Sequence, residues 1–195
     1  LLNFKGKDDF TISKSYFRNK FLNSKLNGKI SFKNQFYFDL DMSINRINLK
    51  NLLSYYPILE KENISKKING KIDVSIKSTD SLFGKIQNIK TTLKLQNGDI
   101  KINNFSAIFP EKSKVEADVS IISGNKGPIV EFASNFSTDS AKKFFRKLGF
   151  YDFDQNKFSL FLDGIIDLRS QKIRFKKIIK NNNEKVTNKE ISLIE

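Results

Sequence analysis

The side chains whose types and spacing best suit chemistry are two pairs of carboxylates, Asp39 with Asp41 and Asp152 with Asp154. Two neighbouring carboxylates can divide general-acid and general-base work, or join the roughly six to eight oxygens that surround calcium. Nothing near either pair supplies the rest of a calcium shell, so both are expected to be surface solubilisers. The chain of 195 residues contains no Cys and no His. Thiolate nucleophiles, disulfides and Cys-type zinc sites are thereby excluded, and so is the side chain that ordinarily titrates near neutrality. An Asp, Glu or Lys mechanism stays chemically open, but no cluster singles itself out. The expectation is a non-enzymatic protein with no catalytic residue, metal site or cofactor.

Charge offers a second kind of chemistry. Lys and Arg total 35 against 21 Asp and Glu, a formal net charge of +14. An excess of this size fits a polyanion, either nucleic acid or an anionic membrane surface. Lys far outnumbers Arg, however, and base and phosphate readers favour Arg's planar fork. The richness in Lys, Asn, Ile and Phe is also what an AT-rich coding sequence produces. Nucleic acid is therefore not an expected partner. The densest basic stretch is Lys172, Arg174, Lys176, Lys177, Lys180 and Lys185, interleaved with Ile173, Phe175, Ile178 and Ile179. Lys172, Arg174, Lys176 and Lys177 are candidates for contact with an anionic surface. The competing reading is the solvated face of a terminal strand, where positive charge discourages stray pairing.

The elements that must position these groups are mostly strands. Apolar and polar residues alternate along most of the chain, as a half-buried strand requires. Phe36, Phe38, Leu40, Met42 and Ile44 interleave with Tyr37, Asp39, Asp41 and Ser43. Ile72, Val74 and Ile76 continue the pattern, then Leu93 and Leu95, Ile100 and Ile102, Val115 to Ile121, Val130 to Phe136, and Leu160 to Leu168. Asn-Gly at 27–28, 69–70 and 97–98 marks turns or strand entries, and Gly124 to Pro128 a further loop. The whole reads as a meander of about ten strands. Two segments switch to helical spacing. Leu49, Leu52, Leu53 and Tyr56 follow Asn48 as a cap and stop at Pro57; Ala141, Phe144, Phe145 and Leu148 follow Ser137 or Thr138, with Asp139 in the first turn and Gly149 after the end.

Both helical segments follow an alternating strand and precede a strand with a shared opening. Those openings are Ile68-Asn69-Gly70-Lys71-Ile72 and Leu162-Asp163-Gly164-Ile165-Ile166, with an earlier copy at Leu26-Asn27-Gly28-Lys29-Ile30. The chain is thus expected to be one repetitive unit without internal domain boundaries, with repeats at about 26–67 and 115–160. It opens Leu1-Leu2-Asn3-Phe4 without an initiator Met, and is expected to be a segment of a longer protein. A sheet with one apolar face has to cover it. It can close as a sandwich or barrel, giving a structural or interaction domain with a dry core, or curl into a trough that receives an apolar ligand. Periodicity does not separate these outcomes.

The run from Leu26 to Pro57, with its Gly28-Lys29-Ile30 strand, alternating Phe36 to Ile44 and Leu49-to-Leu53 helix, resembles the AsmA-like envelope proteins. The stretch from Ile68 to Ile121 is similar to that family's following meander, including Leu93 to Ile100 and Asn104 to Ala107. Phe136 to Gly149 resembles its second strand-to-helix step. The resemblance implies an all-β fold, a long curled antiparallel sheet or β-groove with two short helices. It implies a periplasmic location in bacteria and a parent protein anchored in the inner membrane. Its function would be to carry phospholipid toward the outer membrane or to serve outer-membrane assembly. No window here approaches the roughly 18 apolar residues of a membrane-spanning helix, so the anchor would lie elsewhere in the parent. On this reading phospholipid acyl chains are the partner. They would lie along Phe36, Phe38, Leu40, Met42, Ile72, Val74, Ile76, Leu93, Leu95, Val119 and Phe132.

Overall fold

The computed structural model describes residues 2–5, 8–18, 22–33, 35–47, 68–81, 84–124, 127–149, 151–152, 154–170, 172–181 and 184–185. They form β1 (Leu2–Lys5), β2 (Asp9–Arg18), β3 (Leu22–Ser31), β4 (Tyr37–Ile47), β5 (Asn69–Ser81), β6 (Gly84–Gln96), β7 (Asp99–Ile108), β8 (Lys114–Gly124), β9 (Gly127–Thr138), β10 (Phe158–Asp167), β11 (Lys172–Lys180) and β12 (Glu184–Lys185). A 3-10 turn, Pro110–Lys112, joins β7 to β8, and helix α1 (Ala141–Lys147) lies between β9 and β10. All twelve strands belong to one sheet and pair in chain order; the edges β1 and β12 do not pair with each other. The fold is therefore the expected curled all-β sheet, open rather than closed, with more strands than periodicity counted.

One junction departs from the antiparallel expectation. Strand β4 pairs with β5 in parallel, setting Phe38 beside Gly70, Leu40 beside Ile72, Met42 beside Val74 and Ile44 beside Ile76. Parallel neighbours need a crossover of a dozen or more residues. Residues 48–67 supply that length; the helix expected over Leu49–Tyr56 lies outside the described residues. The second strand–helix step ends differently, because β9, α1 and β10 return antiparallel. The two sequence repeats therefore share a local pattern but not a topology.

Bulges keep the apolar residues on one face. In β7, Ile100 and Ile102 sit opposite Leu95 and Leu93 of β6. After Asn104, held at φ 53°, the odd-numbered Phe105 and Ala107 take over and pack with Ile44, Ile47, Ile76, Ile86 and Ile89. Strict alternation would have sent Phe105 and Ala107 to the wrong side; the extra residue of a bulge restores the phase and bends the strand. Lys14 (φ 51°) and Asn88 (φ 51°) interrupt β2 and β6 in the same left-handed conformation. Two of the displaced amides find side-chain acceptors on the next strand. Lys14 N–H donates to Asn27 Oδ1 at 2.9 Å, and Asn104 N–H to Asp118 Oδ1 at 2.7 Å.

The repeated glycines are not mainly turn residues. Asn97-Gly98 makes the β6–β7 hairpin and Asn69-Gly70 opens β5, but Asn27-Gly28 lies inside β3 with Gly28 opposite Leu40. Gly164 likewise faces Phe132 across β9 and β10. At Gly70 the reason is contact: a Cβ there would lie 2.5 Å from the Phe38 carbonyl oxygen and 2.6 Å from its ring. Helix α1 begins two or three residues later than expected, with Ser140 at its cap position and Asp139 outside the first turn. Thr138 Oγ1 instead accepts the Ser140 N–H at 3.1 Å. Gly149 ends the helix at φ 89°, its N–H donating to the Arg146 carbonyl at 3.0 Å.

Gly70→Ala should lower folding stability by roughly 1–3 kcal/mol through overpacking against Phe38. Gly149→Ala, where a Cβ meets nothing within 4 Å, should cost only about 1–2 kcal/mol of left-handed strain. Urea denaturation of each variant, with midpoint and slope fitted together, checks both: each midpoint falls while the slope holds.

Candidate functional site: the apolar face

Register assembles the expected lining residues on one face. One rung runs Leu40, Ile72, Leu93, Ile102, Val119 and Phe132 across β4 to β9. Five strand gaps of about 4.8 Å make this rung about 24 Å long, more than the ~15 Å that one leaflet's acyl chains fill. A second rung beside it runs Phe38, Gly70, Leu95, Ile100, Ile121 and Val130. Met42, Val74 and Ile76 lie on the same face further along β4 and β5. Phe36, just before β4, joins through its ring, 5.9 Å from that of Phe38.

Burial along this face is graded. Phe38 and Ile76 retain 7% and 8% of their surface, while Phe36, Leu40, Met42, Ile72, Val74, Leu93, Leu95, Val119 and Phe132 are only half-buried. The buried cluster of Ile44, Ile47, Ile76, Ile86, Ile89 and Ala107 occupies the end nearer Ile47. Elsewhere the face keeps accessible apolar surface.

Aromatic contacts extend the face beyond what alternation indicated. Phe10, Phe32 and Phe36 continue the stack from Phe38, with centroids 5.4 and 5.2 Å apart. Phe175 of β11 meets Phe132 edge-on at 6.2 Å. Near α1, Phe136 lies 5.0 Å from Phe144, and Phe145 lies 5.4 Å from Phe158. The even numbering of Phe10, Phe32, Phe36 and Phe38 was a usable signal. It stayed hidden because the rings lie in separate segments of the chain, which the pairing of β2 with β3 and of β3 with β4 brings together.

The opposite face carries the charge, with apolar residues such as Phe161, Ile165, Ile122 and Ile129 among it. Lys172, Arg174 and Lys177 stand opposite Asp167, Ile165 and Asp163 of β10, and Lys176 occupies the register shift. Lys176 Nζ lies 3.7 Å from Glu131 Oε1, and Lys177 Nζ lies 5.7 Å from the Phe161 ring centroid. This basic stretch is separated from the apolar lining by the thickness of the sheet. Its strand is not the last, but β12 pairs only with Ile179 and Lys180. Asp39 and Asp41 are exposed on the same polar face. The parallel register sets Asp41 beside Asp73, and Lys71 and Thr92 both bind Asp73 in compensation. Asp154 accepts from Lys142 at 2.9 Å.

Those contacts hold several carboxylates below their ordinary range. Asp73 is lowered by Lys71 and then Thr92, Glu111 by Lys147, Asp154 by Lys142, Asp167 by the amides of Ser170 and Arg169, and Asp9 by Ser31 and then Lys33. A general acid at neutral pH needs the opposite shift. Among the described residues no group of three or more Asp or Glu side chains is placed to hold a metal ion. No described helix is long and apolar enough to cross a membrane. The chain matches no protein-family model, no curated protein and no solved structure.

Because the folded carboxylates titrate below their unfolded values, the unfolded chain takes up more protons on acidification. Stability should be fully present above about pH 5 and fall as pH drops through the ordinary and then the depressed folded values. Lys33 and Lys71 are raised by Asp9 and Asp73, so their contribution persists to the high-pH side of ordinary lysine titration. Urea midpoints measured from pH 9 to pH 3 should stay level to about pH 5 and then decline.

Proposed function

We propose that this chain is a non-enzymatic lipid-conduit segment of an AsmA-like envelope protein. Phospholipid acyl chains lie along the apolar face, and the parent protein, anchored in the inner membrane, serves phospholipid transport to the outer membrane or its assembly from the periplasm. The observation that carries this reading is the unbroken, half-buried apolar rung across β4 to β9 on a sheet that does not close. An amphiphile can cover such a face while its head group stays in water.

The mechanism is passive. Burial of each CH₂ contributes about 0.8 kcal/mol, scales with length and has no directional preference. A chain held this way can slide along the rung, because neighbouring positions offer similar contacts. Polar anchors inside the face would trap it. The open edges suit a conduit for the same reason, since further strands can extend the groove without breaking the rung. The resemblance of Leu26–Pro57, Ile68–Ile121 and Phe136–Gly149 to AsmA-like proteins supports the same assignment.

Native mass spectrometry of the chain purified from a bacterial envelope, with lipid extraction, tests the proposal. Wild type should carry phospholipid. Leu40→Asp with Val74→Asp, both half-buried positions, should remove it while the β-signature in circular dichroism persists. Lipid-free wild type that unfolds with the same double substitution would instead make the face a structural core, and the chain an interaction domain.

A further inference from the structure

At the ends of β8, β9 and β10 nearest α1 lies a cavity of about 520 Å³. Its walls include Lys112, Lys114, Lys157, Asp139, Ser137 and Phe158. Lys114, Ser137 and Ser159 are register partners on the polar face, so the cavity begins on that side. Asn181 closes its margin: its N–H donates to the Ser159 carbonyl at 2.9 Å and its Oδ1 accepts the Ser159 N–H at 3.3 Å. Phe158 belongs to both environments. It lines the cavity, and its ring packs with Phe136 and Phe145 on the apolar side.

Charge in the cavity is unevenly neutralised. Lys114 pairs with Glu116, and Glu111 is taken by Lys147 at 2.6 Å. Among the described residues Lys112 and Lys157 have no ion-pair partner, and neither has Asp139. Glu111 and Lys112 are consecutive non-glycine residues in left-handed conformation, at φ 60° and φ 56°. L-residues disfavour that backbone, and strained backbone of this kind clusters at functional sites. Two unneutralised ammonium groups suit a phosphate; one unneutralised carboxylate in the same wall suits an ammonium and disfavours a second negative charge.

We propose that this cavity receives a phosphoethanolamine headgroup, with its phosphate between Lys112 and Lys157 and its ammonium at Asp139. The attached acyl chains pass over Phe158 onto the apolar face beside Phe136. The inference rests on the conduit reading and adds a loading position with headgroup preference at its rim.

The test compares dihexanoyl phosphatidylethanolamine with dihexanoylglycerol, both as monomers, binding to the full chain by native mass spectrometry. Wild type should bind the phospholipid roughly tenfold tighter, the low end of what one charge-assisted hydrogen bond contributes. Lys112→Ala with Lys157→Ala, both exposed positions, should abolish that preference and leave dihexanoylglycerol binding unchanged. Asp139→Asn should weaken phosphatidylethanolamine but not phosphatidic acid. Equal binding of the first two lipids by wild type, or a preference that survives the double substitution, would overturn the headgroup site and leave the conduit standing. Binding of glycerophosphoethanolamine without either acyl lipid would overturn the conduit and assign the cavity to a free phosphodiester. An Asp139→Asn variant that weakens both phospholipids alike would overturn the ammonium assignment.

Discussion

An apolar face that must stay continuous through every change of strand phase is the constraint on which this fold depends. A slip of one residue turns a whole strand's apolar side chains to the wrong side. The chain meets this by matching each bulge to a phase change in its own sequence. In β7 the apolar positions pass from Ile100 and Ile102 to Phe105 and Ala107, with Asn104 absorbing the extra residue. Asp118 accepts the amide that the bulge displaces. The sheet can therefore curl without mixing its faces.

The same constraint explains the glycines. Where Phe38, Leu40 and Phe132 lean across to the next strand, the residue opposite is Gly70, Gly28 or Gly164. Large and absent side chains alternate across the sheet, which lets a bulky ring lie flat on the face. The parallel junction of β4 and β5 has its own electrostatic consequence. It places Asp41 beside Asp73, an unfavourable pair that Lys71 and Thr92 answer from within the sheet. Had that junction been antiparallel, different residues would have met and the polar face would have needed another solution.

Separation of the two faces also organises the proposed function. The basic stretch at Lys172–Lys177 lies on one side of the sheet, among half-buried Phe161 and Ile165, and the apolar rungs lie on the other. An amphiphile needs both environments, and the margins of the sheet are one place where they meet. Phe158 stands at such a margin, between the aromatic cluster of Phe136 and Phe145 and the cavity walled by Lys112 and Lys157. On the proposed reading, sliding occurs on the apolar face and discrimination at its rim.

Much of this was legible in the sequence because strand alternation is local. Period-two patterning assigned the class of fold and the facing of Phe38, Leu40, Met42, Ile72, Val74, Leu93 and Phe132, and helical spacing found α1. Bulges blurred that signal, since an extra residue reads as broken alternation until its partner strand is known. The two strand–helix repeats looked equivalent, yet β4 runs parallel to β5 while β9 and β10 are antiparallel. Connections of similar length permit either return, so local pattern cannot choose. The aromatic stack from Phe10 to Phe38 and the cavity beside Phe158 combine residues from separate strands and turns. By itself the sequence determined which residues share a face; the tertiary structure alone decided which strands bring them together, because pairing and crossover direction depend on long-range contacts that no local period records.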